Sequence, residues 1–195
     1  KLNMEVNYML SLHYDLDNEK VKYLISTDEK LGKLIRYINK TELIIEEDGF
    51  KCIVKYIIGQ QISDKARETI WQRKINYIKI LASAVISEDI NFYDFKELTN
   101  EEIIKKLTAL KGIGQWTAEM YLIFSLGREN VLSKGDGTIR RTIQWMYDLD
   151  KLPSSEILLK YFSSWTQYAT IVSSYLWKSI ELGLVQKPFN EIISN

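Results

Sequence analysis

In Leu110-Lys111-Gly112-Ile113-Gly114-Gln115-Trp116-Thr117-Ala118, an apolar-patterned helical run enters Gly-Ile-Gly and a second helical run begins at once. Two glycines one residue apart permit a tight turn with positive φ and the close approach of another backbone. Just beyond the turn, the unpaired N–H groups and the dipole of the following helix favour an anion. A helical hairpin of this kind can hold a phosphate through main-chain donors without a lysine. Glycine is also the routine helix C-cap, so taken alone the segment reads first as a plain helix–helix turn.

Outward from that turn the chain is helical in pattern. Apolar residues recur at helical spacing over 31–38, 53–58, 75–86, 103–110, 118–126, 139–147, 157–165 and 171–184. The two prolines, Pro153 and Pro188, leave long helices unbroken. Asp17, Thr27 and Thr99 stand where N-caps belong, each with acidic residues close behind. Polar breaks at 46–49 and 135–137 separate segments, and 8–14 alternates weakly, as an extended piece would. The expectation is an all-α domain of about eight to ten helices.

A chain of 195 residues buries a core without metal or disulfide staples. Cys52 is the single cysteine, which excludes a disulfide framework, an all-cysteine zinc site and a four-cysteine iron–sulfur cluster. His13 is the single histidine, so catalysis by a histidine pair or triad is not expected. The 26 basic and 26 acidic residues cancel, which argues against a strongly basic nucleic-acid coat and a polybasic membrane binder. Charge is nevertheless uneven. Residues 1–50 carry seven bases and ten acids, whereas 103–145 carry seven bases (Lys105, Lys106, Lys111, Arg128, Lys134, Arg140, Arg141) and three acids (Glu119, Glu129, Asp136). Gathered on one face, the second group would meet a phosphate backbone; scattered, it is ordinary helix solvation. No apolar run reaches membrane-spanning length and 1–7 is not a signal peptide, so a cytoplasmic protein is expected, nucleoid-associated if bacterial.

Four stretches in order make the hairpin specific. They are Ile58-Gly59-Gln60-Gln61-Ile62-Ser63; the hairpin continued through Glu119-Met120; Ser133-Lys134-Gly135-Asp136-Gly137-Thr138-Ile139-Arg140-Arg141; and Trp165 through Tyr175-Leu176-Trp177. Together they resemble the helix-hairpin-helix DNA glycosylases, most of all the AlkA-like 3-methyladenine DNA glycosylase II branch. The resemblance implies a two-lobed helical domain with a cleft between the lobes. Lobe one would take about 1–48 and 138–195, and lobe two about 49–137 with the hairpin at 103–126.

The resemblance also implies roles. Asp136 becomes the catalytic carboxylate, stabilising positive charge on the sugar as the base leaves and directing a water. Read from spacing alone, Asp136 is equally the N-cap of the run that follows it. Trp116 occupies the position of the Schiff-base lysine in relatives that also cut the strand, so base removal without strand cleavage is implied. Trp116, Met120 and Trp177 would wall the base pocket, where indole faces attract a cationic alkylated purine by about 0.5–2 kcal/mol; helically spaced tryptophans are also ordinary core. Gly112, Gly114 and Thr117 would contact the DNA backbone, and Gln61 would fill the gap left by the flipped base.

No cofactor and no metal are required by these residue types, although relatives often hold a monovalent cation among the hairpin carbonyls. The implied partner is double-stranded DNA carrying alkylated bases, with no membrane, and the protein is expected to be a monomer. The alternative from another class is a non-catalytic hairpin DNA-binding module, which needs Gly112 and Gly114 but not Asp136, Trp116 and Trp177 together. Three features depart from the pattern. Thr138 and Gly137 exchange the family's order, and Gln167 replaces a proline. Between Arg73 and Lys74 a helical segment of about thirty residues is expected and absent.

Overall fold

The computed structural model describes residues 10–59 and 67–193. Among them are ten α-helices and one two-stranded sheet: β1 (Ser11–Tyr14), α1 (Glu19–Thr27), α2 (Glu29–Ile38), β2 (Thr41–Ile44), α3 (Gly49–Gly59), α4 (Arg67–Ile86), α5 (Asn100–Thr108), α6 (Gln115–Phe124), α7 (Gly137–Tyr147), α8 (Ser155–Phe162), α9 (Ala169–Glu181) and α10 (Phe189–Ile193). The all-α expectation holds.

Side chains set most helix starts. Thr99 and Glu102 form a reciprocal capping box at α5. Asn18 caps α1 and Asp28 caps α2, where the expectation placed Asp17 and Thr27. Both misses are by one residue. The Thr27 hydroxyl instead turns back onto the Leu24 carbonyl, which leaves the cap to its neighbour. β1 falls within the expected extended piece, whose residues 8 and 9 lie outside the described residues, and its partner was not foreseen: β1 pairs antiparallel with β2, Ser11 opposite Ile44 and Tyr14 opposite Thr41.

The helices pack in two groups. In the first, α3 packs against α4, and α6 packs against both α3 and α5. α1, α2, α7, α9 and α10 form the other group, and β2 lies against α9. The core runs through both, from Leu24, Leu34 and Ile35 to Ile53, Leu122 and Leu176. At the position where an additional segment was expected, α4 is a single helix passing through Arg73 and Lys74. There Lys74 is buried and donates to the Ile58 carbonyl at 2.8 Å, while Trp71 and Ile75 remain exposed.

Candidate active site

The hairpin positions the site. α5 ends in a four-residue turn closed by the Ile113 N–H on the Leu110 carbonyl at 3.1 Å. Gly112 occupies its third position with φ +98°, where this turn needs glycine. A Cβ there would lie 2.0 Å from the Tyr77 ring, so the close approach is to a side chain of α4 and not to a backbone. Gly114 differs: its φ is −88°, no side chain caps α6 after it, and nothing lies within 4 Å of a Cβ built there. Space is therefore open beside Gly114 at the start of α6, as an anion site on main-chain N–H groups requires. Thr117 does not join it. At 1% exposure it faces the interior, which corrects its assignment as a side-chain donor to DNA.

Asp136 stands immediately before α7, and its two carboxylate oxygens have different partners. Its Oδ1 accepts from the Thr138 and Ile139 N–H groups at 2.8 and 3.0 Å, which is the N-cap. Its Oδ2 accepts from the Trp116 indole N–H at 3.1 Å. Asp136 as a residue is 9% exposed, and three N–H donors fix the orientation of its carboxylate.

From Trp116 an aromatic chain extends along α6. Trp116, Met120 and Phe124 follow one another at four-residue steps and so share a face. Tyr56 of α3 meets Trp116 edge-on at 5.7 Å and Phe124 at 5.6 Å. Phe124 stacks on Trp177 at 5.7 Å with planes 26° apart. Each such pair contributes about 0.5–1.5 kcal/mol beyond area burial. Met120 is buried within α6. The structure thus brings Asp136 and Trp116 into contact and joins Trp177 to them through Phe124 and Tyr56. Trp177 also lines a cavity of about 740 Å³ with Phe124, Ser174, Tyr14, His13 and Glu42; Asp136 and Trp116 do not line it.

Tyr56 and Phe124 were missed from sequence. The spacing from Trp116 could have found Phe124; no local signal marks Tyr56. Gln61, the expected wedge, lies outside the described residues. His13 pairs with Glu42 across the sheet, and burial pushes the Cys52 thiol up to about 12. Among the described residues no cluster of three or more His, Cys, Asp or Glu could hold a metal, and no helix is long and apolar enough to cross a membrane.

No protein-family model matches the chain. DNA-3-methyladenine glycosylase 1 of Schizosaccharomyces pombe is 41% identical over 117 residues, 60% of this chain and 51% of that protein, so the match spans about half the relative's length. Among solved structures, the DNA-3-methyladenine glycosidase of Bacillus halodurans superposes with a TM-score of 0.80 at 29% identity, over 94% of this chain and 100% of that one. The Schizosaccharomyces pombe 3-methyladenine DNA glycosylase, solved in complex with abasic DNA, gives 0.76 at 27% identity, over 84% and 97%.

Proposed function

We propose that this chain, a homologue of the DNA-3-methyladenine glycosylases with their all-α helix-hairpin-helix fold, excises alkylated purines from DNA and leaves an abasic site. One observation carries the reading: the Trp116 indole N–H holds the Asp136 carboxylate at 3.1 Å, at the end of an aromatic chain. A capping role alone would use Oδ1 and leave Oδ2 to solvent.

The chemistry follows from those groups. A purine alkylated at N3 or N7 is cationic and a good leaving group, so little acid catalysis is needed. Electron-rich rings favour such a base over an uncharged one. As the glycosidic bond breaks, positive charge grows on the sugar, and a pre-oriented Asp136 carboxylate stabilises it without reorganising. The edge of Oδ2 left by the indole is the acceptor for a proton of the attacking water. Trp116 offers no amine for a covalent sugar adduct, so water is the nucleophile and the strand stays intact. Double-stranded DNA docks at the hairpin through the open first turn of α6 beside Gly114. The two helix groups act as lobes flanking the substrate, Gln61 supplies the wedge, and the protein works as a monomer.

The test is incubation with methylated duplex DNA. Free 7-methylguanine and 3-methyladenine should appear while strands break only after alkali. Binding of abasic DNA with no base release from any lesion would favour the non-catalytic module instead. Borohydride trapping of a protein–DNA adduct would refute the water mechanism.

A further inference from the structure

We propose that Glu119 is a positioning residue for the excision reaction, holding the loop that carries Asp136 against α6 through the hydroxyl of Ser133. The proposal rests on the glycosylase reading above and extends it to a carboxylate that reading leaves without a role.

Glu119 is 3% exposed, and burying a carboxylate costs several kcal/mol unless hydrogen bonds replace its water. Its Oε2 accepts from the Ser133 hydroxyl at 2.5 Å and its Oε1 from the Gln115 side-chain amide at 2.9 Å. Burial raises the carboxyl above its ordinary range; the bonds from Ser133 and Gln115 and the charge of Lys134 oppose the rise, and the charge of Asp136 adds to it. An apolar residue packed at this point of α6 would avoid that cost, so stability alone does not account for an acid here.

What the acid reaches is the turn before the catalytic residue. Ser133 is fully buried, and its carbonyl accepts the Asp136 N–H at 3.1 Å, closing a turn from 133 to 136. Glu119 lies three residues beyond Trp116, on the same side of α6. One helix therefore grips the loop twice: Trp116 at the carboxylate, Glu119 at the start of its turn. Gln115, the first residue of α6 after the hairpin, braces Glu119. The hydrogen bonds run unbroken from the hairpin to Asp136 through Gln115, Glu119 and Ser133. Without Glu119 the Ser133 hydroxyl loses its acceptor and the turn can shift, and a misplacement of about 1 Å costs about 100-fold in rate.

The experiment measures single-turnover release of 7-methylguanine and the dissociation constant for abasic duplex DNA, with a thermal melt for each variant. Glu119→Ala should slow release by about 10- to 100-fold, with Ser133→Ala slowing it by a smaller factor. Both should leave DNA affinity unchanged. Glu119→Gln keeps an acceptor oxygen for Ser133 and should retain the wild-type rate. In an Asp136→Asn background, followed over extended incubation, Glu119→Ala should cost nothing further, because no positioned charge remains. An equal slowing in that background would overturn the proposal, as would weakened DNA binding at an unchanged rate. If the wild type releases base and Glu119→Ala and Ser133→Ala match it, only this proposal fails. If the wild type releases none, the glycosylase reading itself has failed and takes the proposal with it.

Discussion

Asp136→Asn separates the helix cap from the proposed catalytic role of the carboxylate. Asparagine caps a helix about as well as aspartate, so its Oδ1 can keep the Thr138 and Ile139 N–H groups now held at 2.8 and 3.0 Å. Its amide nitrogen then faces the Trp116 N–H, donor against donor, where a carboxylate oxygen now sits at 3.1 Å. A partly buried donor left without an acceptor costs about 1–3 kcal/mol. In a chain of 195 residues that lowers Tm by about 2–12 °C. The chemical loss is larger, because the fixed charge beside the developing sugar cation disappears. Removing one pre-organised electrostatic group typically costs about 100- to 1,000-fold. Single-turnover release of 7-methylguanine, with the melt measured in parallel, reads both effects. The double variant Trp116→Phe, Asp136→Asn removes the opposed donor and should recover Tm while the rate stays low. Release by Asp136→Asn within about tenfold of wild type, well inside that range, would refute the role assigned to Asp136. So would a double variant that recovers rate together with Tm.

The two hairpin glycines should respond oppositely. Gly112→Ala meets both its φ of +98° and the Tyr77 ring, costing about 2–5 kcal/mol and visible as a lower Tm. Gly114→Ala should melt like wild type and lose affinity for abasic duplex DNA, because its Cβ enters only the open space where a phosphate would sit. The raised carboxyl of Glu119 means the native state keeps a proton that the unfolded chain releases. Relative to Glu119→Gln, wild-type stability should therefore fall as pH rises from the ordinary carboxyl range through the raised native one, then level off; urea midpoints from acid to neutral pH that stay parallel would contradict this. Arg128 and Arg140 are engaged with backbone carbonyls, which leaves Lys105, Lys106, Lys111, Lys134 and Arg141 of the basic stretch. The slope of log affinity for DNA against log salt should then be no steeper than about −4.5.

Much of the scaffold was legible because helical periodicity needs no knowledge of partners. α5, α6, α7 and α9 follow apolar spacing in the chain. Capping at Asp28 and Asn18 was misread by one position because adjacent residues were both good caps, and only the backbone decides which one turns outward. The short strand β2 has no meaning until β1 lies beside it. The site divides in the same way. Asp136 and Trp116 sit in local motifs, and Phe124 lies on the face of α6 that Trp116 defines. Tyr56 reaches that face only because α3 packs on α6. The error at Thr117 has an angular cause: one residue beyond Trp116, the helix has turned about 100°, enough to carry the side chain from the site into the core.

The segment between α6 and α7 explains how a neutral chain can hold one carboxylate rigidly. Arg128 donates to the carbonyls of Lys96 and Leu98 at 3.1 and 2.9 Å, tying the segment to the group of helices that contains the hairpin. Its neighbour Glu129 accepts from Lys20 and from the Tyr14 hydroxyl, tying the same segment to the other group. Thr170 of α9 donates to the Arg128 carbonyl at 2.7 Å and accepts the Val131 N–H at 3.1 Å. Ser133 and Asp136 then close onto α6. Charges that counted in sequence as part of a basic stretch are thus partly spent inside the molecule, where they stake down the loop. An electrostatic catalyst depends on a charge already in place when the sugar cation forms. Residues anchored to both helix groups meet that need better than surplus surface lysines, which add affinity for any phosphate but orient nothing. The neutral total is therefore no obstacle to the proposed function, in which backbone N–H groups at the hairpin would bind DNA while Arg128 and Glu129 anchor the segment that leads to Asp136.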